Sequence, residues 1–246
     1  MPKIIGISLI KNEDLFIEYA IRNCIDFCDE ILILDNKSVD NTFNIITNLK
    51  SEYSKITIIS VNNSKDTNKY INKYRGTDTW VFGVDGDEIY DKSGLSIIRK
   101  LILDGKFNNY WTIKGPTIHV FNLDTEKNHA TGYMAPPARC MGKLYNFNHL
   151  ESDFPRGERL HGNVKWNKDA NLYRYSNFNE DNFRCLHLCF VNRSSVNTTI
   201  KYTKNNNELF ITKAPNGLQH CDKKFVKYTR GDIIDTVDIS KFINKF

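Results

Sequence analysis

The chain has little of what would mark it as fibrous, secreted or membrane-embedded. Six prolines and 13 glycines among 246 residues are too few for a collagen-like or linker-like polymer. Its six cysteines, at 24, 28, 140, 185, 189 and 221, lack the dense spacing of a disulfide scaffold. Reduced thiols in a cytoplasmic compartment are the reading that follows. No run approaches the roughly 18–20 apolar residues of a membrane-crossing helix. The apolar opening at 4–10 meets Lys11, Asn12, Glu13 and Asp14 without a small-residue cleavage site. The expectation is a soluble, unsecreted chain without a transmembrane segment, leaving room for peripheral membrane contact. Charge of one sign is also modest: a net +5 suits an anionic ligand and falls short of a nucleic-acid module. The one basic cluster, Lys223, Lys224, Lys227 and Arg230, reads as a solvated face.

What is present is ordinary globular material, with 40% hydrophobic and 12% aromatic residues, enough for a core in a chain of this length. A zinc site built from the two C-x3-C pairs, Cys24/Cys28 and Cys185/Cys189, is conceivable, but structural zinc favours tighter spacing.

Hydrophobic patterning alternates between two periods. Residues 4–10, 30–34, 56–61 and 79–84 read as short buried strands. Between them, 13–28 repeats apolar residues at intervals of three and four, 40–49 follows the N-cap candidate Asp40, and 65–74 reads as a short helix. A further helix is expected at 93–103. Strands alternating with helices predict an α/β fold: a mainly parallel sheet with right-handed crossovers. Ligands then bind beyond the carboxyl ends of the strands, where the loops at Lys11-Asn12, Asp35-Asn36 and Asp85-Gly86-Asp87-Glu88 gather. The second half, with irregular strands at 110–120, 140–147 and 183–191, reads as a mixed sheet edge with long loops. One domain over 1–227 is expected, with halves 1–105 and 106–227, and a tail over 228–246 that forms a short helix.

Most informative is the strand that ends in Asp85-Gly86-Asp87-Glu88. In extended backbone Asp85 and Asp87 point the same way, and Gly86 keeps a side chain from blocking a ligand. Paired carboxylates suit a hard cation, Mn²⁺ or Mg²⁺, that completes its shell with phosphate oxygens. Out of context the same residues are an ordinary turn.

In this order the motifs resemble the GT-A glycosyltransferases, specifically family 2-like enzymes. The opening strand runs into a K-N-E turn at Lys11-Asn12-Glu13. Asp35-Asn36-Lys37-Ser38-Val39-Asp40-Asn41-Thr42 resembles the D-N-x-S-x-D-x-T loop, and Asp85-Gly86-Asp87 the D-x-D signature. The resemblance covers about the first 105 residues, with His187 and Ser194 resembling a late H-x6-S element. It implies a GT-A fold and transfer of a sugar from a nucleotide-diphosphate donor, UDP-linked, to a hydroxyl of a glycan or glycoconjugate with inversion, as in polysaccharide assembly. It implies base and ribose contacts at Ile10, Lys11, Asn12 and Asp35, a donor contact at Asp85 and Gly86, and a metal on Asp85 and Asp87.

A third metal ligand is expected from histidine. His187, inside an apolar run, is preferred over His161, with His119, His129, His149 and His220 also present; a buried core histidine is the equal alternative. Inverting transfer needs a carboxylate to take the acceptor's proton, and Asp153 and Glu158 are the candidates, with surface ion pairing as the plainer role. Tyr133, Tyr145, Trp166, Tyr173 and Tyr175 are candidates to stack on sugar rings, although most aromatics pack. Two other functions fit less well. One is nucleotidyl transfer to a sugar phosphate, which favours a Gly-rich first loop that Lys11-Asn12-Glu13-Asp14 lacks; the other is a non-catalytic nucleotide- or RNA-binding module.

Overall fold

A computed structural model of the chain describes residues 1–63, 66–134, 141–154, 164–175, 178, 183–189, 191–196 and 233–243. Glu158, His161, Cys140, His220 and Cys221 lie outside the described residues, as do the basic cluster and the side chain of Tyr133.

The first half follows the β-α order read from the sequence. Strand β1 (Lys3–Ile10) leads to α1 (Ile17–Cys24), then β2 (Glu30–Asp35), α2 (Thr42–Glu52) and β3 (Ile56–Ser60). A short α3 (Asn68–Ile71) continues as a 3-10 turn before β4 (Thr79–Gly83). β1 pairs in parallel with β2 and with β4, and β2 with β3. The alternation makes physical sense: β1, β2 and β4 are nearly continuous apolar runs because both of their faces are covered. Trp80 and Phe82 of β4 are 1% and 0% exposed, and each such side chain contributes roughly 2–3 kcal/mol on burial. On the helices, Ile17, Ala20, Ile21 and Cys24 form the buried stripe of α1.

Beyond β4 the chain builds a second sheet. β5 (Glu88–Tyr90) is followed by α4 (Lys92–Leu103), whose N-cap Asp91 accepts from the amides of Ser93 and Gly94. The single strand expected at 110–120 is two, β6 (Tyr110–Gly115) and β7 (Thr117–Asp124), because the chain changes sheets at Gly115-Pro116. A Cβ on Gly115 would stand 1.6 Å from the Phe183 carbonyl oxygen, so the crossing admits glycine only. β8 (His129–Met134), β9 (Met141–Asn146), β10 (Asn171–Arg174), β11 (Cys185–His187) and β12 (Ile233–Asp238) complete the strands.

The two sheets have the orders β10-β6-β9-β4-β1-β2-β3 and β12-β8-β7-β11-β5. The architecture is thus α/β, mainly parallel in its first sheet, with β9 inserted antiparallel beside β4 and a mixed edge beyond. The helix expected over 228–246 is corrected: Ile233, Ile234 and Val237 belong to a strand paired with β8, as suits a β-branched segment with an apolar surface to join. Asp238 then caps a 3-10 turn whose Ile239 and Phe242 are buried.

Candidate functional site

The register Ile10↔Asp35 and Ile7↔Gly83 brings the carboxyl ends of β1, β2 and β4 to one edge. There the loops interlock. The Asn12 amide donates to Ser38 Oγ at 3.0 Å, and the Val39 amide returns a bond to Asn12 Oδ1 at 2.8 Å. Asn12 and Lys37 hold left-handed backbone at φ 54° and 57°, a conformation that surrounding bonds must enforce in residues other than glycine. Asp35, buried, accepts from the Ser38 amide, and the Glu13 amide donates to Thr42 Oγ1 at 2.8 Å. Lys11 and Lys37 at these turns are exposed and, among the described residues, stand outside every ion pair.

The loop after β11 closes over the same edge. Ser194 Oγ donates to Asp40 Oδ2 at 2.6 Å, and Ser195 donates through its amide (2.8 Å) and its hydroxyl to Asp14. Burial pushes the Asp40 carboxyl up, but the donors Ser194, Thr42 and Asp14 outweigh it and hold it below the usual range. The D-N-x-S-x-D-x-T loop, the K-N-E-D turn and the late serine are thereby one assembly.

The acidic motif differs from its sequence expectation. Asp85 to Glu88 is a β-turn, closed by the Glu88 amide donating to the Asp85 carbonyl at 3.1 Å, that carries the chain from the first sheet to the second. Its carboxylates do not lie on extended backbone. Asp85, Asp87 and Glu88 are 5%, 0% and 0% exposed, and each faces a protein cation. Lys143 Nζ is 2.9 Å from Asp85 Oδ2 and 3.1 Å from Glu88 Oε1; Arg193 Nη1 is 2.8 Å from Glu13 Oε1 and 3.3 Å from Asp87 Oδ2. Lys143 arrives here because β9 runs antiparallel to β4 with Leu144 opposite Phe82, which sets Lys143 at the end of β4. Gly86 serves packing rather than ligand access: a Cβ there would stand 1.8 Å from Glu13 Oε2. Burial lifts the Glu88 carboxyl above its usual range against the pull of Lys143.

As placed, then, Asp85 and Asp87 do not fit a shared Mn²⁺ or Mg²⁺: they turn to different protein cations, and the Asp85 charge is met by Lys143. A groove of about 370 Å³ lies elsewhere, between α1 and α4, lined by Asn23, Asp26, Lys92, Ser96, Arg99 and Lys100 among others. None of its lining residues belongs to the acidic turn or to the interlocked loops.

His187 is brought to the turn. Its Nε2 is 3.7 Å from Asp87 Oδ2 and, among the described residues, makes no hydrogen bond. Register places His187 opposite Glu88 on one side and opposite His119 on the other, so the three side chains share a face. His187 Nδ1 is 3.1 Å from His119 Nδ1, and Cys189 Sγ lies 3.5 Å from the same His119 atom. Burial opposes charge on His187, but Cys189 and Asp87 beside it push its pKa up to about 10; burial, with His187 adjacent, drives His119 down to about 3. Cys24 and Cys28 sit elsewhere, within α1 and just past its end, as buried free thiols.

The base candidate Asp153 is not brought to this edge. It pairs with Arg75 at 3.1 Å, both half-exposed, beside the residues that enter β4, at the opposite end of the strand from Asp85. Of the aromatic candidates, Tyr145 and Trp166 stack on one another and on Trp111, while Tyr173 and Tyr175 pack together. Lys143, Arg193, Ser195 and the His119–Cys189 pairing escape sequence reasoning, because only the antiparallel insertion of β9 and the register of the second sheet bring them together.

No protein-family model matches the chain, and no curated protein sequence matches it. Solved structures do. The chain is similar to S. aureus TarS 1–349 in complex with UDP, with 17% identity and a TM-score of 0.44 over 63% of this chain and 50% of that one. It is similar to the mannosyltransferase PcManGT from Pyrobaculum calidifontis in complex with GDP-Man and Mn²⁺, with 14% identity and a TM-score of 0.45 over 76% and 57%. It is also similar to 4-diphosphocytidyl-2C-methyl-D-erythritol synthase from Anaerococcus prevotii, with 13% identity and a TM-score of 0.37 over 59% and 70%. The chain spans about half the length of the TarS chain, 50%.

Proposed function

We propose that the chain is a glycosyltransferase that binds a nucleotide-diphosphate sugar, UDP-linked, across the carboxyl ends of β1, β2 and β4 and passes the sugar to a glycan hydroxyl. The observation that carries this reading is the interlocking of the three loops. A preformed edge of a parallel sheet, held by reciprocal bonds between Asn12, Ser38 and Val39, is where such folds take nucleotides. Ile10, Asn12 and Asp35 receive the base and ribose, and the exposed Lys11 and Lys37 oppose the charge of the diphosphate. Preorganised cations at a departing diphosphate stabilise the charge that grows as the sugar–oxygen bond breaks. The buried acids of the turn act here through structure: with Lys143 and Arg193 they hold the turn against the first loop. Glu158, the other carboxylate candidate, is assigned here to take the acceptor's proton; Asp153 pairs with Arg75 near the start of β4.

The test is release of nucleoside diphosphate from a panel of UDP- and GDP-sugars, with and without added Mn²⁺. Turnover of at least one donor, reduced ten-fold or more by Lys11→Ala combined with Lys37→Ala, supports the reading. Retained turnover in that variant removes these lysines from the site. Tight nucleotide binding with no turnover of any donor by the wild type favours the non-catalytic module.

A further inference from the structure

We propose that His119, His187 and Cys189 form a binding site for a thiophilic divalent cation of the zinc class, held by the two Nδ1 atoms and the Cys189 thiolate. The proposal stands on geometry and is independent of whether the chain transfers sugar.

The three donor atoms come from different parts of the second sheet: His119 from β7, His187 from β11 and Cys189 from the turn that follows it. All three residues are buried, and their ligand atoms lie within 4.8 Å of one another. Tetrahedral zinc with bonds of about 2.05 Å to nitrogen and about 2.3 Å to sulfur sets two nitrogens about 3.3 Å apart, and nitrogen and sulfur about 3.6 Å apart. The corresponding separations here are 3.1 Å between the Nδ1 atoms and 3.5 Å from Cys189 Sγ to His119 Nδ1. Imidazole and thiolate select zinc-class ions over Mg²⁺ or Mn²⁺, which favour carboxylate and water oxygens.

The rest of His187 agrees with this assignment. A ring bound through Nδ1 keeps its hydrogen on Nε2, and ligating histidines almost always present that N–H to a carboxylate or carbonyl. His187 Nε2 faces Asp87 Oδ2 at 3.7 Å. Asp87 would then orient the ligand rather than hold the ion, and the acidic turn would be tied through His187 to β7. Binding requires two protons to leave to solvent, one from the Cys189 thiol and one from His187, which is protonated at neutral pH without the ion, so that both rings ligate in their neutral form. Without a metal, the same atoms are a hydrogen bond between the two rings beside a core thiol.

Metal analysis of the full chain, purified without chelators, tests this. The expected result is about one zinc per chain, a melting temperature lowered by chelation and restored by Zn²⁺, and a thiolate-to-cobalt charge-transfer band after Co²⁺ replacement. Cys189→Ser abolishes that band, and His119→Gln weakens zinc at least ten-fold, in line with losses on altering a ligand. A metal-free wild type whose melting temperature does not respond to Zn²⁺ overturns the proposal. So does Mn²⁺ binding that is lost in Asp87→Ala and unchanged in Cys189→Ser. Should Cys189→Ser not fold, the cobalt spectrum of the wild type decides, and absence of the charge-transfer band overturns the proposal.

Discussion

The carboxylate of Glu13 fills the space that a side chain on Gly86 would need. That single relationship ties the first loop of the chain to the acidic turn, and through Glu13 to Arg193 of the late loop. Gly86→Ala therefore has to expel Glu13 or move the turn, and overpacking of this kind costs about 1–3 kcal/mol. Denaturant unfolding should show that loss. Wild-type stability in Gly86→Ala would mean that the turn and the first loop are not in contact.

Lys143 lies between Asp85 and Glu88, both buried. Lys143→Met leaves two carboxylates without their shared cation, and breaking a buried pair in this way costs about 3–5 kcal/mol. The loss depends on pH. Glu88 already binds its proton more tightly in the folded state, through burial, so its contribution weakens stability as pH rises from the ordinary glutamate value of about 4.3 through the raised folded value. Without Lys143 that decline steepens. The deficit of Lys143→Met relative to wild type should be smaller near pH 5 than near pH 7, and a deficit that is flat with pH would contradict the pairing.

Asp40 behaves in the opposite sense. Its folded pKa is depressed, so the stability it lends is present above the unfolded value of about 3.9 and lost as pH falls through the folded one. Ser194→Ala removes its 2.6 Å hydroxyl donor. A hydrogen bond to a charged group is worth roughly 1.5–3 kcal/mol. Ser194→Ala should therefore lose about that much stability at pH 7, and the gap to wild type should close in acid once Asp40 is protonated. An equal gap at pH 7 and pH 2 would show that the serine acts otherwise.

Arg184 and Asp91 make a second buried pair, at 2.6 Å, in which Asp91 also caps α4 and the guanidinium lies against Phe178 and Phe242. Arg184→Met leaves Asp91 buried without its counter-ion, at a cost of about 3–5 kcal/mol. Arg184→Met with Asp91→Asn should recover part of that loss, because the asparagine keeps the cap. Equal instability of the single and double variants would point to lost packing on Phe178 and Phe242 instead.

The first sheet was legible because its code is local. Uninterrupted apolar runs at β1, β2 and β4, separated by amphipathic helices, fix the parallel order and place Lys11, Asp35 and Asp85 at one edge. The orientation of Asp85 and Asp87 was not legible, since whether D-G-D extends or turns depends on partners distant in sequence. Lys143 is 58 residues from Asp85, and Arg193 is 106 from Asp87. Nor does local pattern distinguish β6 from β7, which read as one strand until the chain must change sheets at Gly115. His187 stood out as an ionisable ring in an apolar run; its partners His119 and Cys189 emerge only from the register of β7 and β11.

The most direct test of the nucleotide site is calorimetric titration of UDP into the wild type and into Asp35→Ala and Lys11→Ala/Lys37→Ala, each with and without added Mn²⁺. UDP is expected to bind without added Mn²⁺, because Asp85 and Asp87 are engaged by Lys143 and Arg193, and affinity is expected to drop ten-fold or more in both variants. Binding that requires Mn²⁺ and vanishes in Asp87→Ala, while Lys11→Ala/Lys37→Ala binds as wild type, would contradict this nucleotide site.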